Sequence, residues 1–312
     1  MTTPPLIIET TIAQNDTTSI DCLSAACELS KSKLKECMKK GAVWLQRHGT
    51  STSSIRPIRR AKTRLACGDK LFLYFNAAVL EQTPPTPKLI DDQQDYSLWY
   101  KPSGMFSHGS KWGDHCSITR WIEQHQQPQR HCYLVHRLDR ATAGIMLIAH
   151  TKKVAAQLCE QFEKRHTHKR YRALVAGKFP EQLKEQIKNK VTSHCITLNT
   201  SIEGKIAHTD VQLIEYNSQQ DVSLLDITLH TGRKHQIRKH LSQAGCPILG
   251  DRLYNPQFAD NSTLDKESIT ATPDLQLQAY HLGFNCPISH TYQEVTLPEA
   301  QLLSPQNNLY KK

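Results

Sequence analysis

The chain has 312 residues, of which 38% are hydrophobic and 22% are charged, so it can bury a core and is not a disordered tail. At a typical size of ~150 residues per domain, this length predicts two domains. The 39 Lys and Arg against 29 Asp and Glu leave a net charge of +10, which favours a polyanionic partner such as nucleic acid. No apolar run approaches the ~20 residues of a membrane-spanning helix, so we expect no membrane partner.

The N-terminal residues MTTPPLIIETTIAQND carry no Lys or Arg before their short apolar stretch, which is not typical of a secretory signal. The ten cysteines include no C-x-x-C pair, so we expect free thiols in a reducing cytoplasm. The sixteen histidines include no H-E-x-x-H motif, and the chain has no glycine motif for a nucleotide or flavin. We therefore expect a cytoplasmic protein without a metal ion or a cofactor.

The first predicted domain covers residues 1–82, with its core at about 20–76. Positive charge is concentrated in it, because residues 30–70 hold twelve Lys and Arg but only two acids. Ser30 can cap a helix over 31–40, Gly41 can end it, and strands are predicted on either side of a turn region that follows. The charge density indicates contact with phosphates. The alternative is a solvated α+β subdomain whose basic face binds nothing.

A proline-rich linker at 83–88 precedes the second predicted domain, 89–312. Its elements do not follow a strict βαβ rhythm. In chain order we predict a strand at 97–102, a helix at 118–125 capped by Ser117, strands at 132–135 and 145–150, a helix at 152–166 capped by Thr151, strands at 169–179 and 221–231, and a basic helix at 232–245. This mixture predicts an α+β fold with a mixed, largely antiparallel central sheet and packed helices.

Three segments of the second domain carry chemically notable groups. In HRLDR (136–140), Asp139 is either a capping or ion-paired turn residue or a carboxylate that cations keep ionised as a nucleophile. In KRYR (169–172), Tyr171 is either ordinary strand surface or a group that stacks on a base beside phosphate contacts. In TGRKHQIRKH (231–240), a turn at Gly232 precedes basic groups that could hold a phosphate or a carboxylate.

Together and in order, HRLDRATAG, KRYRALVAG and LHTGRKHQIRKHLSQAGCPILGDRLY resemble the three core motifs of the RluA-type RNA pseudouridine synthases. KPSGMFSH and LQAYHLGFNCP resemble the family's flanking strands, so the resemblance covers 98–287. The basic segment resembles, more loosely, the small αL RNA-binding module that often precedes these enzymes. The resemblance implies the pseudouridine synthase fold behind a small α+β RNA-binding domain. It also implies an isomerase that converts specific uridines of ribosomal or transfer RNA without a cofactor, and we expect a monomer.

The resemblance also implies roles for individual residues. Asp139 takes the catalytic position, where it either attacks the nucleotide or stabilises the detached sugar, and Arg238 pairs with it. Tyr171 stacks on the base and assists removal of the carbon-five proton, while Ile237 packs against the flipped base. Arg137 is expected to fill the space that the extruded uridine leaves, because extrusion is energetically costly. The other residues expected to contact RNA are His136, Arg140, Arg233 and Gln236.

One position departs from the family pattern D-R-x-T-S-G, because Ala143 stands where serine is usual. The missing hydroxyl is expected to weaken the hydrogen bonding of the turn by ~1 kcal/mol. Three alternative functions stay open: an RNA chaperone of the same fold without catalysis, a metal hydrolase that uses the histidines, and a glycosylase that releases the free base. The intact set of Asp139, Tyr171 and Arg238 argues against the chaperone.

Overall fold

The computed structural model describes residues 4–51, 54–179, 183, 191–192, 195–256 and 274–306. The chain divides into two compact units, one formed by Met1–Pro85 with Phe106–Arg130 and the other by Thr86–Met105 with His131–Lys312. Within the described ranges, none of the helices combines the length and the apolar character that crossing a membrane requires.

The segment Phe106–Arg130 belongs to the first unit, whereas the sequence places it in the second domain. The backbone N–H of Asp114 donates to the carbonyl of Lys40 at 2.9 Å, and Arg59 forms an ion pair with Asp114. The indole of Trp44 also donates to the carbonyl of Lys111 at 3.2 Å. These contacts join residues that lie more than fifty positions apart, so no local pattern predicts them.

The first unit contains a four-stranded antiparallel sheet in the order β1-β4-β2-β3, with four helices. Its elements are β1 Leu6–Thr11, α1 Ser19–Ala26, α2 Lys31–Lys39, β2 Val43–Gln46, β3 Arg56–Pro57, β4 Lys70–Phe75, α3 Ala77–Leu80 and α4 Ile118–His125. The predicted cap of α2 is confirmed, since the Ser30 hydroxyl accepts the N–H of Lys33. Leu34 and Met38, four residues apart on one face of α2, are fully buried in the core.

The second unit is built on an eleven-stranded sheet whose main order is β10-β11-β12-β13-β9-β14-β8-β6-β5. Its strands are β5 Lys88–Asp92, β6 Tyr96–Lys101, β7 Tyr133–Leu134, β8 Ala143–Ala149, β9 His168–Ala176, β10 Val191–Thr192, β11 Cys195–Leu198, β12 Thr209–Asn217, β13 Val222–Leu229, β14 Leu277–Asn285 and β15 Tyr292–Thr296. The β14-β8 pair is parallel, and the other described pairs are antiparallel. The predicted α+β fold with a mixed, largely antiparallel sheet is thus confirmed.

Among the described residues, this unit has two α-helices, α5 Lys152–Glu163 and α6 Gln236–Gln243. The Thr151 hydroxyl caps α5, as predicted, by accepting the N–H of Val154. The prediction that α6 begins at residue 232 is wrong, because His235 has left-handed backbone angles (φ 55°, ψ 30°) and the helix starts only after it. Residues 231–235 therefore form a loop.

A close backbone approach positions the start of β8. Gly144 has φ +131°, and a Cβ on it would lie 2.1 Å from the carbonyl oxygen of Ala279 in β14. Only glycine fits there. Because Ala279 pairs with Gly144 on one side and with Tyr171 of β9 on the other, the turn before β8 and the middle of β9 lie at the same level of the sheet.

Candidate active site

A pocket in the second unit brings together parts of the chain that are far apart in sequence. The turn before β8 and the loop before α6 form most of its wall, with single residues from β9, β13 and β14. Its lining residues are Arg137, Leu138, Asp139, Thr142, Tyr171, Leu229, Gly232, Arg233, His235, Gln236, Ile237, Arg238 and Leu277. Of the predicted site residues, His136 and Arg140 are missing from this lining.

The turn that carries Asp139 is held in place by a hydrogen bond from Lys101, the last residue of β6. The fully buried Lys101 Nζ donates to the carbonyls of Met105 at 2.9 Å, Pro102 at 3.0 Å and Arg140 at 3.3 Å. Burial lowers the pKa of Lys101 to about 7, against the opposing effect of the nearby Asp139 charge. No sequence pattern predicts these hydrogen bonds of Lys101, because KPSG indicates only the end of a strand.

Two basic side chains face the carboxylate of Asp139. The Arg238 Nη1 atom lies 3.6 Å from Oδ2, and the His235 Nε2 atom lies 3.7 Å from Oδ1. Burial lowers the pKa of His235 and outweighs the opposing effect of the Asp139 charge, which disfavours the protonated imidazole. Arg238 therefore supplies the permanent positive charge beside Asp139. His235 is a residue of the site that the sequence did not single out.

Arg238 has a closer partner than the one predicted. Its Nε and Nη2 atoms each donate to Asp251 at 2.8 Å, in a two-pronged pair that is almost completely buried. Burial opposes ionisation of Asp251, but the Arg238 hydrogen bond and the N–H groups of Leu253 and Tyr254 lower its pKa overall. The expected pairing of Arg238 with Asp139 is thus an ion pair without a hydrogen bond, and Asp251 fixes the guanidinium.

Tyr171 lies in the middle of β9 and is buried against the pocket. Burial raises the pKa of its hydroxyl, and the charge of Asp139 acts in the same direction, so the group is a neutral phenol at pH 7. Alternation along the strand turns Arg170 and Arg172 to the other face, where both guanidinium groups lie within 5.5 Å of the Tyr280 ring centroid. These two arginines do not join Tyr171 in the pocket.

Gln236 lines the pocket and holds the loop before α6 through its side-chain amide. Its Oε1 atom accepts the Thr231 hydroxyl at 2.7 Å and the backbone N–H of Arg233 at 3.0 Å. Its Nε2 atom donates to the Thr209 hydroxyl at 2.8 Å and to the carbonyl of His208 at 3.0 Å. All four hydrogen-bonding positions of the amide are taken within the protein, so the contact of this side chain with RNA, which stays a prediction, requires one of these bonds to be exchanged.

The other predicted RNA contacts differ in their placement. His136 is turned away from the pocket: its Nε2 accepts the backbone N–H of Leu147 at 2.9 Å and its ring stacks on Phe162. Burial lowers the pKa of His136 to about 3, so the ring is no cation. Arg140 donates from Nε to the carbonyl of Gly104 at 3.0 Å. Arg233 lies in the pocket wall, with Nε on the carbonyl of Ile206.

The basic segment of the first unit is partly neutralised by its own tertiary contacts. Seven of the twelve cations in residues 30–70 form ion pairs, and several of their acidic partners lie outside that segment. The pairs are Lys31–Asp21, Lys33–Glu36, Lys40–Glu36, Arg47–Asp69, Arg59–Asp114, Arg64–Asp16 and Lys70–Glu9. The binding of phosphates by this segment stays a prediction.

In sequence and in structure, the chain is similar to proteins of one family. Residues 95–243 match the family described as RNA pseudouridylate synthase. A dual-specificity RNA pseudouridine synthase, RluA, of Vibrio parahaemolyticus is 32% identical over 236 residues, which cover 71% of this chain and 88% of that protein. A tRNA pseudouridine synthase C of Pasteurella multocida is 32% identical over 63% of this chain and 84% of that protein.

Two further similarities cover 88% and 71% of the chain. An uncharacterised RNA pseudouridine synthase of Aquifex aeolicus is 28% identical over 295 residues, which cover 88% of this chain and 87% of that protein. The solved structure of the human RNA pseudouridylate synthase domain containing 1 has a TM-score of 0.53 at 20% identity, and covers 71% of this chain and 88% of that chain. The structural likeness concerns the fold.

Proposed function

Because the chain belongs to the RluA-type family of RNA pseudouridine synthases, we propose that its pocket isomerises uridine with Asp139 as the catalytic carboxylate. The single observation that supports this most is the convergence of Asp139, Tyr171, Ile237 and Arg238 from separate segments on one pocket. Asp139 is partly exposed there, so that a substrate can reach its carboxylate.

The chemistry requires a carboxylate that stays charged in a partly apolar site. Isomerisation breaks the bond between the ribose and nitrogen one of uracil and forms a bond from the ribose to carbon five. Carbon five loses one proton and nitrogen one gains one, so no oxidant or reductant is needed. Arg238 places a positive charge 3.6 Å from Asp139 and so orients the carboxylate, which acts as a nucleophile or as a stabiliser of positive charge on the sugar.

Tyr171 and Ile237 supply the surface on which the base can lie. Both are buried and line the pocket, and the phenol of Tyr171 is neutral. An aromatic ring can stack on a planar base, and an aliphatic side chain can pack against it. Stacking of this kind accepts any base, because every base has a flat face. Since burial disfavours the phenolate, help from Tyr171 in removing the carbon-five proton requires its own proton to leave at the same time.

The substrate nucleotide must leave its stack to reach this pocket, and we assign Arg137 to that step. Arg137 is exposed and lines the pocket two residues before Asp139. A long cationic side chain at the pocket mouth can occupy the gap in the RNA while its charge faces the phosphates. Arg233, which also lines the pocket, is the second cation that we assign to contact with RNA.

The relatives suggest the class of RNA. One is named a tRNA pseudouridine synthase, one a dual-specificity enzyme, and one, from Nitrosomonas europaea, a ribosomal large subunit pseudouridine synthase. We therefore propose ribosomal or transfer RNA as the substrate. Asp139, Tyr171 and Ile237 are assigned to the uridine itself, so the choice among RNAs must depend on residues beyond these three.

The test is a transcriptome-wide pseudouridine map of cells that carry Asp139→Asn in place of the wild type. This change keeps the size of the side chain and removes its charge, so we expect one or more sites in ribosomal or transfer RNA to vanish. The matched control is Asp274→Asn, because Asp274 is exposed and does not line the pocket. An unchanged map at normal protein level would contradict the catalytic role of Asp139.

A further inference from the structure

Three potential metal ligands lie together on the second unit, outside the pocket. His208 precedes β12, Asp210 is the second residue of β12, and His230 follows β13. Residues two apart on a strand face the same side of a sheet. His208 lies opposite His230 across the strand pair, because Thr209 pairs with Leu229 and the N–H of His230 donates to the carbonyl of His208 at 3.2 Å.

The three side chains converge on one point. The Nε2 atom of His208 lies 3.1 Å from Oδ1 of Asp210, and the Nε2 atom of His230 lies 2.7 Å from Oδ2. The two imidazole rings stack with their centroids 4.3 Å apart, and the candidate ligand atoms all lie within 4.8 Å of one another. All three side chains are partly exposed, so an ion can enter from solvent.

A fourth residue orients the carboxylate. The Thr197 hydroxyl of β11 donates to Oδ1 of Asp210 at 2.7 Å. Hydrogen bonds of this kind fix the direction of a ligating carboxylate and are a regular part of metal sites. The arrangement therefore has a strand-based frame on three neighbouring strands rather than three independent surface side chains.

We propose that His208, Asp210 and His230 bind one divalent transition-metal ion of the zinc type. Two imidazole nitrogens and one carboxylate oxygen suit Zn²⁺, Co²⁺ or Ni²⁺, whereas Mg²⁺ and Ca²⁺ prefer oxygen ligands throughout. Three protein ligands leave at least one position for water. The site departs from the sequence-based expectation of no metal, because its ligands come from two strands and match no linear motif.

The position of the site indicates a structural effect on the pocket loop. The N–H of His208 donates to the Thr231 hydroxyl at 2.8 Å, and that hydroxyl donates to Gln236. A bound ion would hold the end of β13 to the start of β12 directly below the loop 231–235. None of the three ligands lines the pocket, so metal binding and the proposed catalysis can be tested separately.

The experiment is a calorimetric titration of the full chain with ZnCl₂ after treatment with a chelator. We expect the wild type to bind one equivalent of Zn²⁺ that Asp210→Asn and His230→Ala bind at least ~10-fold more weakly. His166→Ala is the control, since His166 is an exposed histidine outside the cluster. Equal Zn²⁺ binding by the wild type and both cluster variants, or no binding by the wild type, would overturn the proposal.

A second measurement uses the wild type alone and does not depend on how the variants fold. The Co²⁺ complex should show absorption of a nitrogen- and oxygen-ligated ion, without the strong charge-transfer band of a cobalt–thiolate bond. The ten cysteines make this distinction necessary. A thiolate band at one equivalent of Co²⁺ would place the ion on cysteine and overturn the assignment to the histidines.

Discussion

Arg238 lies between two carboxylates that hold it differently. Asp251 binds it through two hydrogen bonds of 2.8 Å and is itself held by two backbone N–H groups. The remaining Nη1 atom is left to face Asp139 at 3.6 Å. A buried guanidinium without a partner would cost ~3–5 kcal/mol, so Asp251 allows a permanent charge to stay beside the catalytic position. Asp251 is a positioning residue in this arrangement.

Arg137→Ala should impair the reaction more on folded RNA than on unpaired RNA. If Arg137 fills the gap that the extruded uridine leaves, its loss removes a contact that offsets the free-energy cost of extrusion. That cost is larger when the uridine is stacked and paired. We expect kcat/KM to fall about tenfold further with a stem-loop than with an unstructured oligonucleotide, a difference of about 1.4 kcal/mol. Lys153→Ala is the control, because Lys153 is an exposed cation on α5 that does not line the pocket. Equal losses on both RNAs would contradict the assignment.

His136 should make stability depend on pH. Its folded-state pKa of about 3 lies below the ordinary value of 6.5, so below pH 6.5 the unfolded chain binds a proton that the folded chain does not. The stability that the neutral His136 contributes is present above pH 6.5. Below that pH, the free energy of unfolding decreases by about 1.4 kcal/mol per pH unit as the pH falls. Urea unfolding at pH 7 and pH 5 should show this loss.

The matched variant is His136→Gln, whose amide oxygen can still accept the N–H of Leu147 but cannot titrate. Between pH 7 and pH 5, we expect the free energy of unfolding of His136→Gln to decrease by about 2 kcal/mol less than that of the wild type. His125→Gln, at an exposed position of α4, serves as the control. If His136→Gln and the wild type lost the same free energy of unfolding, the buried neutral imidazole would not be the cause.

Strand β8 can reach its place beside β14 only through Gly144. Gly144→Ala should lower the free energy of unfolding by ~3 kcal/mol or more, because it combines backbone strain with a contact of 2.1 Å. Gly104→Ala is the matched control: its φ is +83°, but a Cβ there meets nothing within 4 Å, so only ~1–2 kcal/mol is expected. Thermal unfolding of both variants measures the difference, and equal losses would exclude the close approach as the cause.

The turn that carries Asp139 leads directly into β8, so stability and the geometry of the pocket are linked there. Ala143 begins β8 and pairs with Gln278, directly beside Gly144. Lys101 and Ser103 hold the carbonyls of Arg140 and Ala141 from the other side. The turn is thus supported without the hydroxyl that serine would bring at position 143, and the effect of that hydroxyl stays a prediction.

The distribution of charge over the molecule is more even than the sequence suggests. Residues 30–70 alone account for the formal +10, but the first unit as a whole has 15 Lys and Arg against 9 acids, a net +6, and the second has 24 against 20, a net +4. Acidic residues outside the segment pair with Lys31, Arg59, Arg64 and Lys70. The pairs of Lys31, Arg64 and Lys70 are exposed, and exposed ion pairs are weak, so phosphates can still compete for these three cations.

Neutralising exposed cations of the first unit should reduce the salt dependence of RNA binding. Arg60→Gln with Lys62→Gln changes two exposed residues of the basic segment, and we expect the slope of log affinity against log salt to fall by ~1.5. Lys152→Gln with Lys153→Gln on α5 is a control of equal charge. If both pairs changed the slope equally, net charge rather than this segment would explain RNA binding. An unchanged slope in the first pair would remove those two cations from the interface.

Local features of this protein could be predicted from the sequence because they depend on residues within one turn or one strand. The caps at Ser30 and Thr151, the strand of Tyr171 and the family motifs are of this kind. Other features depend on strand register and on loops that meet across the sheet. They are the partner of Arg238, the loop that Gln236 closes, and the cluster of His208, Asp210 and His230. Tertiary structure alone decides such contacts, since a side chain hydrogen-bonds to whatever group the packed backbone brings within reach, whatever their separation in sequence.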